Sequence, residues 1–288
     1  MVEGDGVILN LAGFALRGKP IGGIDDPDFL SDGVGVRVRN STGVTVKNGS
    51  ITNFKVGVVL EGGSANVVKN LLIQDNQGRS PDGNFGGGIN ISSSNGNTIR
   101  NNNLIHNGPN EGIGLFGSSS DNLIVNNVVR DSDSAPTNEV GIRIEGPGAT
   151  NNTVRGNTVT GSAYHGIYID FGDPGNTGNK IVDNLVEDNG FGLGGIGNQP
   201  GDGIRVGFGV DNVIRGNRVQ GNAANGILIG AGSKGNRIIS NVATDNNRVP
   251  QPGRSRFDLH DLSQQQGCGT NVYRGNTFGT AFPDCTKG

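Results

Sequence analysis

The sequence predicts an all-β solenoid of roughly nine to ten rungs, each built from three short strands. Two short motifs recur along nearly the whole chain, one centred on pairs of Asn and one that begins with Gly. Of the 288 residues, 53 are Gly, and Gly and Asn together make up about a third of the chain. Both are poor helix formers, which disfavours a helical bundle or a helix-rich α/β enzyme. Recurrence at intervals of 24 to 35 residues is typical of a stack of similar rungs.

The first motif, Asn-x-aliphatic-x-x-Asn-x-aliphatic, predicts two consecutive strands joined by a tight bend. We call them the Asn-strands. Their aliphatic residues would face the core, while the repeated Asn would stack as ladders at the bends, each amide bonding the backbone or a neighbouring Asn. Copies of the motif start at Asn66, Asn97, Asn122, Asn152, Asn179, Asn212, Asn236 and Asn271. A third column of Asn follows them, at Asn76, Asn107, Asn189, Asn222 and Asn246.

The second motif, Gly-aliphatic-x-aliphatic, precedes each Asn pair, and its alternation with period two predicts a third strand. We call it the Gly-strand. Glycine permits the tight corner before it. Copies start at Gly35, Gly57, Gly88, Gly112, Gly141, Gly166, Gly203 and Gly226. We expect the series to begin with Val7, Leu9 and Leu11, and to continue at its other end through Phe257 and Leu259.

Together the two motifs resemble the right-handed parallel β-helix repeat over about residues 4–280. That superfamily includes pectate-lyase-like enzymes, glycosidases, alginate epimerases and lyases, phage tailspikes and NosD-like proteins. The resemblance implies one right-handed, single-stranded parallel β-helix domain over residues 1–288. It also implies a polysaccharide partner and a secreted, periplasmic or cell-surface location. The stretch 268–285 resembles the C-terminal end of secreted bacterial members.

Charge and cysteine content narrow the possible partners and the compartment. A formal net charge of -3 and a pI near 5.6 argue against binding to nucleic acid. No apolar run is long enough for a membrane span, and the first residues lack the features of a signal peptide. We predict a local disulfide between Cys268 and Cys285, with free thiols as the alternative, and zinc is disfavoured. A disulfide would indicate an oxidising compartment.

Functional residues are expected where the outward positions of the Gly-strands break the repeat. Neighbouring rungs lie about 4.8 Å apart, so Arg143, Tyr168 and Arg205 should form one row, beside Glu145 and Asp170. The first outward column reads Ile8, Arg37, Val59, Asn90, Gly114, Arg143, Tyr168, Arg205, Leu228 and Asp258. The second reads Asn10, Arg39, Glu61, Ser92, Phe116, Glu145, Asp170, Gly207, Gly230 and His260.

Tyr and His are scarce, with three of each in the chain, and the segment Tyr164–Asp170 holds two Tyr and one His. Most insertions precede a Gly-strand, so they would overhang one edge of a groove. They are 18–32, 78–86, 131–139, 190–202 and 247–256, with 171–178 on the opposite side. We therefore predict a ligand groove over the Gly-strands. Its further substrate-binding candidates are Asn90, Phe116, Asp173 and Asp202.

This patch would suit a lyase or epimerase acting on an acidic polysaccharide. Such enzymes need a cation to neutralise the substrate carboxylate, a base to take the C5 proton and an acid to return one. Arg143 and Arg205 would bind the carboxylate. The resemblance to epimerases implies catalytic roles for Tyr and His side chains and for Asp170. The candidates for base and acid are Tyr168, His165 and Tyr164.

Three alternatives remain open. A glycoside hydrolase would pair Asp170 with Asp173, Glu145 or Asp202. A non-catalytic polysaccharide-binding or adhesin-like module would use the Arg and Glu side chains as plain cross-strand ion pairs. His165 could be a structural residue in a turn, and His260, near the C-terminal end, is a weaker site candidate. No cofactor is certain, although Ca²⁺ could bind at Asp170 and Asp173, or at Asp25, Asp26 and Asp28.

Overall fold

A computed structural model describes most of the chain. The described residues are 1–19, 33–78, 86–130, 140–169, 176–192, 199–251, 255–263 and 268–287.

The described chain winds into a β-helix with three faces, and every pairing between successive rungs is parallel. The Gly-strands form one face, a ten-stranded sheet. Its strands are Val34–Arg39, Val56–Glu61, Gly87–Ser92, Glu111–Phe116, Val140–Glu145, Ile167–Ile169, Ile204–Val206, Ile227–Ile229, Leu259–Asp261 and Ala281–Phe282.

The Asn-strands form the other two faces. The first face contains Ile8–Asn10, Thr45–Thr52, Val67–Gln74, Thr98–Arg100, Leu123–Val125, Thr153–Arg155, Lys180–Val182, Val213–Arg215, Arg237–Ile239 and Val272–Arg274. The strands Thr45–Thr52 and Val67–Gln74 continue around the bend into the second face. That face also contains Ala15–Arg17, Asn103–Ile105, Val128–Arg130, Thr158–Thr160, Leu185–Glu187, Arg218–Gln220, Val242–Thr244 and Thr277–Phe278.

Two smaller elements complete the described structure. A short parallel pair joins Asn176–Thr177 to Gly209–Val210. A 3-10 helix spans Asp284–Lys287 near the C-terminus. The predicted disulfide between Cys268 and Cys285 is present, and it ties this last turn to the preceding loop. No helix among the described residues has the length and apolar character needed to cross a membrane.

The core consists of aliphatic side chains stacked from rung to rung. Ile113, Ile142, Ile167 and Ile204 pair in register along the Gly-strand face and are fully buried. Each such side chain contributes about 1.5–3 kcal/mol of burial free energy. Because the inward positions are filled by these residues, the side chains between them must face outward, and they form the surface on which the candidate site lies.

The buried Asn form hydrogen-bonded ladders at the bends, as predicted. The Asn152 Oδ1 accepts from the backbone N–H and the side-chain amide of Asn122, both at 3.0 Å. Its own amide donates to the Ser119 carbonyl and to the Asn179 Oδ1. The bends between the two Asn-strands also need one residue in the left-handed region, such as Asn101, with φ 55°. Asn, Asp and Gly tolerate this conformation best, which explains their abundance.

Two sequence expectations about the ends of the repeat are wrong. Ile8 pairs with Thr45 and Leu9 with Val46, so the first strand belongs to an Asn-strand face and not to the Gly-strands. At the other end, His260 and not Asp258 pairs with Leu228. Asp258 lies just before this strand. Its Oδ1 accepts hydrogen bonds from the backbone N–H and the side-chain amide of Asn246, and it thereby ends the third Asn ladder.

Insertion 131–139 and most of 18–32, 78–86 and 171–178 lie outside the described residues, whereas 190–192, 199–202, 247–251 and 255–256 of the other two insertions are described. The site is therefore built from the strands and the described ends of these loops.

Candidate functional site

A cleft of about 850 Å³ lies over the C-terminal half of the Gly-strand face. We call it the main cleft. It extends from the strand Val140–Glu145 to the strand Leu259–Asp261. Residues that line it include Arg143, Glu145, Tyr164, Tyr168, Asp202, Arg205, Asn225 and His260. Six of these eight residues are main sequence candidates for catalysis or substrate binding, namely Arg143, Glu145, Tyr164, Tyr168, Asp202 and Arg205, and His260 is the weaker candidate.

An Arg-Tyr-Arg row forms the floor of the main cleft. Tyr168 pairs in register with Arg143 on one side and with Arg205 on the other. The guanidinium carbons lie 6.0 and 5.8 Å from the centre of the Tyr168 ring, within the range of cation–π attraction. The ring is only 6% exposed. Two cations therefore lie beside one phenol on a rigid sheet.

Each arginine of the row has a carboxylate partner. The Arg143 Nε lies 2.9 Å from a Glu145 carboxylate oxygen, and one of its terminal nitrogens donates to the Asn110 side chain at 3.0 Å. A terminal nitrogen of Arg205 lies 3.3 Å from the Asp202 carboxylate. Burial opposes the charge on Arg205, but Asp202 and the nearby Tyr168 and Tyr164 outweigh it and raise the pKa of the guanidinium.

A polar column lies beside this row. The sequence indicated His165 and Asp202 as separate candidates but did not reveal that they share one column. It consists of the residues immediately before the Gly of each Gly-strand, and in three successive rungs these are His165, Asp202 and Asn225. The Asp202 backbone N–H donates to the His165 Nδ1 at 2.9 Å. The Asp202 Oδ1 accepts from the Asn225 backbone and amide at 3.0 and 2.8 Å. The sequence did contain a sign of this column, because these three rungs carry a polar residue at a position where most other rungs carry Val or Gly.

Burial and the surrounding charges act in opposite directions on Asp202. Its side chain is 4% exposed. Burial raises the pKa of the carboxyl, while Arg205 and the hydrogen bonds from Asn225 partly offset that rise. Asp202 thus acts as a buried anchor that holds Arg205 in the cleft and links the neighbouring rungs.

His165 lies beneath the cleft and not on its surface. Its ring packs 3.8 Å from that of Tyr164 and 4.8 Å from that of Tyr168, measured between ring centres. Because Nδ1 accepts a hydrogen bond, the neutral ring carries its proton on Nε2, which has no hydrogen-bond partner among the described residues. Burial, together with Arg205 and Arg143, holds the pKa of His165 well below its usual value. A role in positioning the two tyrosines fits this geometry.

We expect the depressed pKa of His165 to make folding sensitive to acid. In the unfolded chain His165 binds a proton near pH 6.5, whereas in the folded chain it does not. The stability that the neutral ring contributes is therefore fully present above that pH and is lost progressively below it. One such group should cost about 1.4 kcal/mol of unfolding free energy by pH 5.5. Urea unfolding at pH 7.5 and 5.5 measures the loss.

The matched variant is His165→Asn, whose side-chain oxygen can replace Nδ1 as the acceptor for Asp202 but does not titrate. It should lose about 1.4 kcal/mol less than the parent protein over the same pH interval. Equal pH dependence in the two proteins would contradict the assignment.

His260 lines the main cleft because it pairs with Leu228 of the neighbouring Gly-strand. Its Nδ1 lies 3.1 Å from the Asn225 Oδ1, and its ring packs against Phe257 and Phe282. Burial lowers the pKa of His260, and Asp261 partly offsets that effect. The expected register of the strand Leu259–Asp261 was wrong by two residues, which explains why the sequence placed His260 outside the row.

A second cleft, of about 720 Å³, lies over the N-terminal half of the same face. We call it the N-terminal cleft. Asn90 and Phe116 line this cleft and not the main one, together with Arg37, Lys55 and Asn110. Asp170 and Asp173 fall outside the described residues, as do Asp25, Asp26 and Asp28. Among the residues that are described, no group of three or more His, Cys, Asp or Glu could hold a metal ion, so nothing supports the Ca²⁺ expectation.

Two family models match the chain in overlapping halves. A model described as a right handed beta helix region matches residues 12–146. A model described as periplasmic copper-binding protein (NosD) matches residues 128–278. A search of curated proteins finds no match.

Solved structures show the same architecture at low sequence identity. A double mutant of the periplasmic alginate epimerase AlgG is 14% identical with a TM-score of 0.60, covering 85% of this chain and 51% of that one. The Dettilon tailspike protein is 15% identical with a TM-score of 0.62, covering 95% and 57%. The A-module of the Azotobacter vinelandii mannuronan C-5 epimerase AlgE6 is 14% identical with a TM-score of 0.62, covering 93% and 67%.

These similarities establish the fold as a right-handed parallel β-helix, as the repeat predicted. The chain spans about half to two thirds of the length of the structures it matches. At this identity they establish the fold alone, because one fold carries many activities.

Proposed function

Since the chain belongs to the NosD family of right-handed parallel β-helix proteins, we propose that it is an extracytoplasmic protein whose main cleft binds and acts on an acidic polysaccharide. The reaction that fits the cleft best is elimination or epimerisation at C5 of a uronate residue. The observation that carries this proposal is the Arg-Tyr-Arg row of Arg143, Tyr168 and Arg205.

The row supplies the groups that such a reaction needs. Proton removal at C5 of a uronate builds negative charge on the adjacent carboxylate, and a guanidinium can stabilise that charge with two hydrogen bonds. Arg205 is 27% exposed and Arg143 is 12% exposed, so each can turn an N–H edge toward the cleft. Tyr168 lies between the two cations, and a tyrosine hydroxyl is one of the side-chain groups that can act as a general base.

Tyr168 is the proposed base and Tyr164 the proposed acid. Both line the cleft, and both pack on the buried His165 ring, which fixes their relative position. In elimination, Tyr168 takes the C5 proton, the bond from C4 to the glycosidic oxygen breaks, and Tyr164 protonates that oxygen. In epimerisation, Tyr164 instead returns a proton to C5 from the opposite face.

The names of similar proteins agree with a carbohydrate ligand. Two of the structures named above are alginate or mannuronan epimerases, and a further match is a DFA-IIIase from Arthrobacter chlorophenolicus in complex with GF2. The periplasmic family description and the periplasmic epimerase support the extracytoplasmic location.

The copper binding named in the family description does not fit the side chains of this chain. Copper prefers His, Cys and Met ligands. Both cysteines form the disulfide, and the only methionine is Met1. Of the three histidines, His165 is buried beneath the cleft, His106 is half-exposed after an Asn-strand, and His260 alone lines the main cleft. Within the described part of the chain no three such ligands meet, and no step of the proposal involves copper.

Incubation with a panel of polyuronates and glycosaminoglycans tests the proposal. We expect ultraviolet absorbance from an unsaturated uronate product if the reaction is elimination, and a changed proton NMR spectrum of the polymer if it is epimerisation. Neutral polymers such as dextran serve as the control and should remain unchanged. Absence of both products over the whole panel would rule out the catalytic proposal.

A second candidate function, binding without catalysis, is favoured by one observation. Both arginines already have carboxylate partners, and Tyr168 is 6% exposed, an arrangement that also suits a static cross-strand stack. Isothermal titration with the same polymers separates the two functions. Affinity for an acidic polymer without any product would identify a binding module.

A further inference from the structure

A polar pair, the buried Glu111 and Asn90, lies at the N-terminal cleft. Beyond their contact with each other, the Glu111 carboxyl oxygens and the Asn90 Oδ1 have no hydrogen-bond partner among the described residues. Glu111 is fully buried, although Asn90 lines the cleft. The pair satisfies only part of its hydrogen-bonding capacity by itself, and an unsatisfied buried polar atom costs about 1–3 kcal/mol. A polar ligand in the cleft can supply further hydrogen bonds through Asn90, which lines it.

Glycines on the sheet make room for this cluster. A Cβ at position 87 would lie 2.9 Å from a Glu111 carboxyl oxygen and 3.1 Å from the Asn90 Oδ1, so both oxygens lie above Gly87. A Cβ at position 114 would overlap the Phe116 ring and lie 2.8 Å from the Glu111 Cγ. The Glu111 side chain and the Phe116 ring therefore share the space above Gly114. Phe116, which is only partly buried, lines the cleft.

The two clefts lie on one continuous sheet. Along the first outward column, Asn90 is three strands from Tyr168 and Arg37 is five strands from it. At about 4.8 Å per strand these separations are roughly 14 and 24 Å. The Asn110 side chain, which lines the N-terminal cleft, bonds Arg143 of the main cleft and joins the two. An extended oligosaccharide that crosses the strands can therefore reach both.

We propose that the N-terminal cleft is a remote subsite for an acidic oligosaccharide, in which Phe116 packs on a sugar ring and Asn90 and Arg37 bind its polar groups. This inference rests on the proposed function of the main cleft and adds a requirement for chain length. Aromatic rings offer sugars a large apolar face. Arg37 can bind a uronate carboxylate alongside its existing partner, the Glu61 carboxylate at 2.7 Å.

Glu111 beneath Phe116 must be neutral for this subsite to accept an anion. The charged groups nearest it are Arg143 and Glu145, and Arg37, Lys55 and Glu61 line the same cleft. Burial raises the pKa of Glu111 to about 8; Arg143 and a side-chain hydrogen bond with Asn90 oppose the rise, while Glu145 adds to it. At pH 7 the carboxyl is protonated and can donate to the Asn90 Oδ1. Above pH 8 its charge would repel a polyanion.

The first experiment compares oligouronates of two to eight residues by isothermal titration with the full chain. We expect affinity to rise until both clefts are filled. Phe116→Ala should weaken the longest oligomers about tenfold and leave the disaccharide unchanged. Arg155→Ala, an exposed arginine on an Asn-strand face, is the control, and thermal unfolding verifies that each variant folds.

The second experiment repeats the titration at pH 7 and pH 9 with Glu111→Gln. Glutamine resembles the protonated acid but does not titrate. The variant should therefore bind long oligomers as tightly as the parent protein at pH 7, and should lose less affinity than the parent protein at pH 9. Equal pH dependence in the two proteins would overturn the role of Glu111.

The outcomes separate the two proposals. If long oligomers bind no more tightly than short ones, and Phe116→Ala changes nothing, the remote subsite is wrong while the main cleft stands. If no oligouronate of any length binds, the proposed function itself is wrong.

Discussion

Replacing Tyr168 with Phe should reduce turnover of a polyuronate by about 10²–10⁴-fold, the usual contribution of a positioned acid or base. The phenol is held between Arg143 and Arg205 on neighbouring strands. Phe keeps the ring and its packing on both guanidinium groups, so only the hydroxyl is lost. We therefore expect the dissociation constant for a polyuronate to change less than about threefold, within the range of a weak contact.

Single-turnover kinetics and titration calorimetry together measure these two effects. Tyr164→Phe should also reduce turnover if Tyr164 is the acid, whereas Tyr273→Phe serves as the matched control. Tyr273 donates to Asp261 at 2.7 Å and is not among the residues that line the main cleft. Its variant is expected to lose stability and to retain turnover per folded molecule. Full activity in Tyr168→Phe would eliminate the tyrosine as the base.

The fold could be predicted from the sequence because each copy of the repeat occupies the same structural environment in its rung. Each Asn that starts a motif lies in the same hydrogen-bonded position, as with Asn122 and Asn152, and each aliphatic pair faces the core. The ends of the repeat were harder. Ile8 and Asp258 have flanking residues that look like another rung, but the pairing there is decided by contacts with Thr45 and Asn246, which no local pattern reveals.

The candidate site could be predicted only in part, for a related reason. The alternation of inward and outward side chains along the Gly-strands was enough to place Arg143, Tyr168 and Arg205 in one row. It could not reveal the column of His165 and Asp202, because these residues precede the strand and lie under its edge, outside the alternation. Their importance follows from burial and from the bond between Asp202 and His165, which depend on how successive rungs stack.

Replacing Asn152 with Ala should destabilise the protein by about 2–6 kcal/mol. The Asn152 Oδ1 accepts two hydrogen bonds from Asn122, and its amide donates to Ser119 and Asn179. The residue is fully buried, so water cannot replace these bonds without opening the bend. At least two buried donors would be left unpaired, each costing about 1–3 kcal/mol. Urea unfolding followed by circular dichroism measures the change.

Arg155→Ala is the matched control, because Arg155 is exposed on the same rung and should change stability by less than about 0.5 kcal/mol. A similarly small effect for Asn152→Ala would mean that the ladder contributes little, and that aliphatic packing alone fixes the rungs. Asn152 belongs to the rung of Arg143 but lies at a bend away from the main cleft. Turnover per folded molecule should therefore be retained at low temperature while the midpoint of unfolding falls, which separates the role of the ladder from that of the Arg-Tyr-Arg row.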